Sequence, residues 1–366
     1  MFDRRLITHF EWPLFLLTLT LLGVGVMAVY SATYTGGPRL NPTLVRQLIW
    51  IGIGSLGMAL AFGIDYHRFE NWAYPLYLCT FLLLLLVPLI GSVGGGARRW
   101  IVFGPLSLQP SEFAKISLLL VLARFFHRYT PQDGYGLLDL VYPTVLVLIP
   151  AALVLLQPNL GTAVSFGLLF VCLTFAAGLR WGSFALLGVI SGGILSLLWF
   201  FVMEPYQKER VLSFLDPGRD PLGTGYHVVQ SKISVGSGML WGKGFLQSTQ
   251  SRLDFLPETH TDFVFAVFAE EWGFVGAAGL LVLYGLILTR LLVIAWRARE
   301  RFGALLAVGA AALVFWPTLF NIGMNIGVLP VVGIPLPLVS YGGSSLLTVM
   351  LVMGLALNVS TRRAIF

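Results

Sequence analysis

Two carboxylates and an imidazole stand at alternate positions in Leu256-Pro257-Glu258-Thr259-His260-Thr261-Asp262-Phe263. An extended backbone would point Glu258, His260 and Asp262 the same way. Two readings of Asp262 are open: the N-cap of the apolar helix that follows, or a carboxylate at the mouth of a membrane cavity, placed for general-base work. No HExxH pattern supports zinc. Glu270 lies two turns further along the same apolar run and, like Glu271, is costly there unless paired or hydrated. A second segment, Pro110-Ser111-Glu112-Phe113-Ala114-Lys115, reads as a helix start with Ser111 as N-cap. Glu112 and Lys115, three apart, share a helix face and can pair, either as a structural ion pair or as the lining of a pathway. A third, Gly94-Gly95-Gly96-Ala97-Arg98-Arg99-Trp100, reads as a flexible turn ending in two cations and an aromatic ring. Its arginines either snorkel or grip phosphate oxygens, and Trp100 could contact a lipid or a sugar face.

Two glycine-rich segments carry less. Gly236-Ser237-Gly238-Met239-Leu240-Trp241-Gly242-Lys243-Gly244 suggests a nucleotide loop, but Ser237 and Gly244 stand where the Walker pattern needs glycine and a magnesium-binding hydroxyl. Gly333-Ile334-Pro335-Leu336-Pro337-Leu338-Val339-Ser340-Tyr341-Gly342-Gly343-Ser344-Ser345 predicts irregular backbone at membrane depth. Such backbone is tolerated against a cavity or at a tight packing corner.

The elements that must hold these residues are membrane helices. Of the 366 residues 57% are hydrophobic and 11% charged, with a mean hydropathy of +0.84. Soluble domains carry about 25% charged residues, so a soluble globular protein and a disordered chain are excluded. The net charge of +6 is scattered between apolar runs, whereas a nucleic-acid binder clusters its cations on one face. Cys79 and Cys172 sit inside apolar runs and suggest neither a disulfide nor a zinc site. A bilayer span needs about 20 apolar residues, and ten stretches qualify: 12–32, 45–64, 71–91, 112–130, 138–156, 160–179, 182–203, 263–289, 303–328 and 341–360. The first is too long for a secretory signal despite Arg4 and Arg5 before it. The expected fold is an all-α membrane protein, a single polytopic domain over 1–366, with one large hydrophilic loop at 204–262 between the seventh and eighth spans. Basic residues near helix ends favour cytoplasmic N- and C-termini, which puts that loop outside.

Taken together, the motifs resemble the SEDS (shape, elongation, division and sporulation) family. The matching stretches are GARRW at 96–100, QPSEFAK at 109–115, QPNLGTA at 157–163, LDPGRDPLGTGYHVVQSKISVGSGMLWGKG at 215–244, LPETHTDFVFAVFAEEWGFVG at 256–276 and GIPLPLVSYGGSS at 333–345. They run through most of the chain in family order, and the short N-terminus and the last stretch look more like the rod-shape branch than the division branch. The resemblance implies an enzyme that polymerises lipid II into glycan strands on the outer face of the cytoplasmic membrane during cell elongation. It maps the catalytic aspartate to Asp262, and further site residues to Glu112, Lys115 and Arg99. The family commonly has aspartate in QPDLGT, where this chain has Asn159; a cavity-tuning or cation-binding role for that carboxylate is in doubt here.

On that reading Asp262 takes the proton from the acceptor sugar and inversion at the donor's anomeric carbon expels undecaprenyl pyrophosphate. Arg99, Arg210 and Lys115 would stabilise the leaving group, with a divalent cation, magnesium or manganese, as an optional counter-ion. Trp100, Glu112, Glu258 and His260 would support the substrates. Expected partners are lipid II, the lipid-linked glycan strand, a class B penicillin-binding protein that crosslinks the product, and other cell-elongation proteins. The alternative is a lipid II flippase, since buried charges also suit a transport pathway; inverted repeats and broken midplane helices are not detectable. A scaffold for another membrane protein is compatible with either.

Overall fold

The computed structural model describes residues 10–34, 41–94, 97–104, 106–204, 208, 212–214, 216, 224–253, 255–256 and 258–362. Each of the ten expected apolar runs is helical. In chain order the long helices are α1 (Trp12–Ala32), α2 (Pro42–Gly63), α3 (Tyr66–Ile90), α4 (Pro110–Arg128), α5 (Val141–Leu156), α6 (Leu160–Gly178), α7 (Trp181–Leu197), α8 (Thr224–Ser237), α9 (Val264–Arg297), α10 (Arg301–Asn325) and α11 (Gly343–Arg362). Eight of the described segments are long and apolar enough to cross a membrane: α1, α2, α3, α5 with the short 3-10 turn before it, α6, α9, α10 and α11. The other two expected runs differ for physical reasons. The first, α4, carries Glu112, Lys115, Arg124 and Arg128, and buries most of its residues against protein. The second, α7, has 17 residues and gives way to a π-helical turn, Leu198–Val202.

Local chemistry sets the helix starts. Asn41 caps α2 by accepting from the Thr43 amide at 3.0 Å, with Pro42 in the first turn. Asp65 caps α3 by accepting from the His67 amide at 3.0 Å. At α4 the N-cap is Gln109, not Ser111, because Pro110 takes the first helical position and moves the boundary back. The centre of the bundle is α10 and α11, which bury most of their residues, while α3 leaves most of its own facing outward. Large apolar side chains such as Leu56, Leu89, Phe201 and Trp296 stand on the outer surface, where hydrocarbon rather than water would meet them.

A three-stranded antiparallel meander is an element the apolar periodicity does not foretell. It consists of β1 (Ser92–Gly94), β2 (Ala97–Phe103) and β3 (Leu106–Leu108). The expected flexible turn is therefore half of a hairpin, with Trp100 paired to Ser92 and Ile101 to Leu108. Strand geometry fixes the positions of Arg99 and Trp100 in a way a free turn would not.

Within the 204–262 segment the described residues form α8, a single helical turn at Thr249–Arg252, and a strap of turns at 238–248. The strap docks on a break in α9. Gly273 has φ 65° and ψ −164°, a conformation only glycine adopts readily, and it interrupts the helical ladder. The strap fills the gap: the amides of Lys243 and Gly244 donate to the carbonyls of Glu270 and Glu271 at 3.0 Å each. Those of Phe274 and Val275 donate to Met239 and Leu240 at 2.8 and 3.1 Å. The glycines read as a nucleotide-loop pattern serve this contact, since a Cβ on Gly238 or Gly242 would collide with the backbone of Ala269 or Glu271.

Candidate functional site

One cleft of about 490 Å³ gathers most of the predicted site residues. Arg99 and Trp100 reach it from β2, and Gln109, Glu112 and Lys115 from the start of α4. Asn159 and Thr162 come from the start of α6, and Glu258, Thr261 and Asp262 from the turn before α9. The far wall is the α10–α11 connection, with Gly333, Pro335 and Tyr341. These groups come from four separate stretches of the chain, at 99–115, 159–162, 258–262 and 333–341, so only the packing of the bundle brings them together.

Asp262 is not a helix cap: the N-cap of α9 is Phe263, with no side-chain cap. Instead its main chain is clamped. Asn321 and Asn325, both 0% exposed, each donate a side-chain N–H to the Asp262 carbonyl at 3.0 Å. Asn321 also donates to the Ile334 carbonyl at 2.8 Å, tying the same clamp to the α10–α11 connection. The Asn325 side-chain oxygen accepts from the Ala266 amide and the Ser231 hydroxyl, both at 3.2 Å, and so links α8 and α9 to the same point. Beside it, the Ser340 hydroxyl donates to the Thr261 carbonyl at 2.6 Å and accepts from the Leu336 amide at 2.9 Å. The irregular GIPLPLVSYGGSS backbone is thus satisfied by side chains, as membrane depth requires. Gly333 faces the aspartate closely: a Cβ there would lie 3.4 Å from Asp262 Oδ2.

The amides of Thr261, Asp262 and Phe263 all point back to the Glu258 carbonyl, at 3.1, 3.1 and 3.4 Å. The segment is therefore a turn, not the extended stretch its alternation suggested. In a turn, positions four apart share a side, which is why Glu258 and Asp262 face the cleft together while His260 does not line it. His260 packs its ring against Tyr341, centroids 5.5 Å apart, and its carbonyl accepts from the Tyr341 amide at 2.8 Å. Burial holds the His260 imidazole below its ordinary pKa, partly offset by the Glu258 charge, so it is a neutral packing residue of the turn.

Glu112 and Lys115 pair as expected, at 2.7 Å, and are 5% and 7% exposed. The pair occupies one Glu112 oxygen; Oε2 is buried without a protein partner, so the cleft wall offers an acceptor for water or substrate. Arg99 donates through Nε to the Gln157 carbonyl at 2.9 Å and through a terminal nitrogen to the Pro158 carbonyl. It thus bolts β2 to the α5–α6 corner while lining the cleft. Asn159 accepts from the Thr162 amide at 3.3 Å as the N-cap of α6. An aspartate would cap equally well, and what the substitution removes is one negative charge from the cleft wall. Arg210 lies outside the described residues.

Glu270 does not line the cleft. It is 0% exposed and accepts from Ser234 at 2.9 Å, Ser248 at 2.7 Å, the Thr249 amide and hydroxyl at 2.9 and 2.8 Å, and Lys243 at 2.5 Å. Glu271 accepts from the Ser31 hydroxyl and ties α1 to the same region. Sequence reasoning missed the two asparagines, although Asn321 and Asn325, one turn apart in an apolar helix, were the available signal.

The comparisons with known proteins agree with this architecture. Residues 12–365 match the FtsW/RodA/SpoVE family model, described as cell cycle protein. The chain belongs to the FtsW/RodA/SpoVE family. It is 42% identical over 355 residues to the peptidoglycan glycosyltransferase MrdB of Escherichia coli K12, covering 97% of this chain and 94% of that one. It is 36% identical over 353 residues to the stage V sporulation protein E of Bacillus subtilis 168, covering 95% and 96%. Among solved structures, a chain of a peptidoglycan synthase complex, described as coordinating polymerization and crosslinking, superposes with a TM-score of 0.81. It shares 36% identity over 97% of this chain and 98% of that one. The rod shape determining protein RodA of Thermus thermophilus superposes with a TM-score of 0.72 at 34% identity over the same shares. This FtsW/RodA/SpoVE member is a multi-pass membrane glycosyltransferase.

Proposed function

We propose that the enzyme polymerises lipid II into glycan strands at the outer face of the cytoplasmic membrane, with both termini in the cytoplasm and Asp262 as general base. The observation that carries the reading is the convergence of Asp262, Glu258, the Glu112–Lys115 pair, Arg99 and Trp100 on one cleft. Asp262 takes the proton from the 4-hydroxyl of the acceptor N-acetylglucosamine. That oxygen bonds to the anomeric carbon of the strand-end N-acetylmuramic acid. The bond from that carbon to the pyrophosphate oxygen breaks with inversion, and the electron pair leaves with undecaprenyl pyrophosphate. One displacement needs one base and a stabilised leaving group, and the cations Arg99 and Lys115 line the same cleft for the second task.

The donor set suits a magnesium or manganese ion only as a counter-ion shared with substrate phosphates. Among the described residues no three of His, Cys, Asp and Glu come together, while Asp262, Glu258 and Glu112 line the one cleft. Such an ion would supply neutralising charge to the pyrophosphate, held by Asp262 or Glu258.

A class B penicillin-binding protein fits as the crosslinking partner, given the synthase complex to which the chain is similar. The transport reading loses one of its supports, because Glu270 is saturated by its own neighbours. The test is polymerisation of lipid II by the purified chain, alone and with that partner. Glycan chains from the wild type and none from Asp262→Ala at equal expression are expected; full activity in Asp262→Ala would sink the base assignment.

A further inference from the structure

On the side of the bundle marked by Asp65 and Arg362, away from the glycan cleft, two further cavities adjoin. One is an apolar groove of about 250 Å³ between α2, α3, α4 and α11, lined by Leu60, Ile64, Leu76, Ile116, Leu120 and Leu355 among others. Its outer lip is open, since Leu60 and Leu76 are exposed. The second is a polar pocket of about 390 Å³ at the α2–α3 corner, formed by Ile64, Asp65, His67, Arg68, Asn71 and Arg362. Ile64 lines both, so the groove and the pocket meet at that residue.

The charges of the pocket can be counted. His67 faces Asp65 through Nδ1 at 2.7 Å and Glu300 through Nε2 at 3.0 Å. With a carboxylate on each ring nitrogen both must donate, which makes the ring an imidazolium. Arg362 pairs with Asp65 at 3.2 Å and donates to Asn358. Asp65 and Glu300 are therefore consumed by His67 and Arg362, and no ion pair among the described residues neutralises the exposed Arg68. The corner keeps a net positive charge at the mouth of an apolar groove that opens sideways.

That combination has one fitting ligand class. The geometry points to a structural site for an anionic glycerophospholipid of the leaflet at this corner. One acyl chain fills the groove, and the phosphate of the headgroup lies against Arg68 and Asn71. A basic pocket between spans is how such headgroups are recognised; the groove adds a chain contact that a free anion lacks. A lipid here would bridge α2 and α3 to α4 and α11, two of the helices whose residues line the glycan cleft.

The full chain would be purified with its native lipids and reconstituted in phosphatidylcholine nanodiscs with and without phosphatidylglycerol. Retained lipid is read by native mass spectrometry, and thermal stability by a melt. The wild type should keep phosphatidylglycerol and melt higher in its presence. Arg68→Gln should lower retention about fivefold, the loss expected for one cation at an anionic surface. Leu76→Trp, which fills the groove and leaves the charges alone, should lower it as well. Equal stabilisation by inorganic phosphate would overturn the proposal in favour of a free-anion site. Wild-type retention in both variants, or loss of a polyprenyl lipid in place of phosphatidylglycerol, would overturn it outright.

Discussion

Asp262 and Glu270 stand eight residues apart on one segment, and the fold treats them in opposite ways. Glu270 is fully buried, and every donor around it is aimed at its carboxylate: three hydroxyls, one amide and Lys243. Asp262 is gripped by its main chain instead, through Asn321 and Asn325 on its carbonyl, and its carboxylate lies beside Gly333 in the cleft lining. A carboxylate saturated with donors is a fastener, because moving its proton or its position would break several bonds at once. A carboxylate whose place is set through its backbone can meet a substrate without losing that place. The difference between structural and reactive acids in this chain is which atoms the protein chose to hold.

Isosteric substitution should separate the two most sharply. Asp262→Asn is expected to cost about 10²–10⁴-fold in polymerisation rate, the range of a positioned base, with an unchanged melt. Glu270→Gln should do the reverse: about 2–3 kcal/mol of stability lost in a detergent melt, since buried donors aimed at a charged acceptor lose it. The polymerisation rate per folded molecule should survive. A double-mutant cycle of Glu270→Gln and Lys243→Met should show coupled rather than additive losses, and strictly additive losses would refute the pairing. Next in size, Asn325→Ala should cost about 1–3 kcal/mol for the buried groups it leaves unpaired. It should also lower kcat with little change in KM, because it loosens Asp262 without touching substrate.

The smallest effect concerns pH. His260 has its pKa lowered in the fold from 6.5, burial being the main cause. The unfolded chain therefore binds the proton first, so the stability His260 contributes is complete above about pH 6.5 and is lost as pH falls through the window below it. The wild-type melt should drop more between about pH 7 and pH 5 than that of His260→Gln; parallel curves would remove His260 from the account.

Much of this was legible from residue order alone. Ten apolar runs of bilayer length could become nothing but helices, and scarce charges inside them had to be paired or functional, as Glu112 with Lys115 proved. The i, i+3 spacing was enough for that pair because a helix period is local. The reading failed where geometry was not local. The alternation of Glu258, His260 and Asp262 suggested a strand, but three amides collected on one carbonyl made a turn and sent His260 to Tyr341. The stretch from Gly94 to Trp100 suggested a loose turn, but from Ala97 onward it is a strand, with Trp100 paired to Ser92 and Ile101 to Leu108. Glu270 could not be told from a cavity residue, since its five donors come from positions 21 to 36 residues away.

The sequence by itself determined the solvent of this protein, its helices and the short list of groups able to do chemistry, because hydropathy and helix spacing act between near neighbours. Only the tertiary structure decided which of those groups share a cleft. That choice depends on distant contacts: Asn321 and Asn325 on Asp262, Arg99 on the α5–α6 corner, and the strap on the Gly273 break. Each satisfies a buried polar group with a partner that only packing can bring within reach.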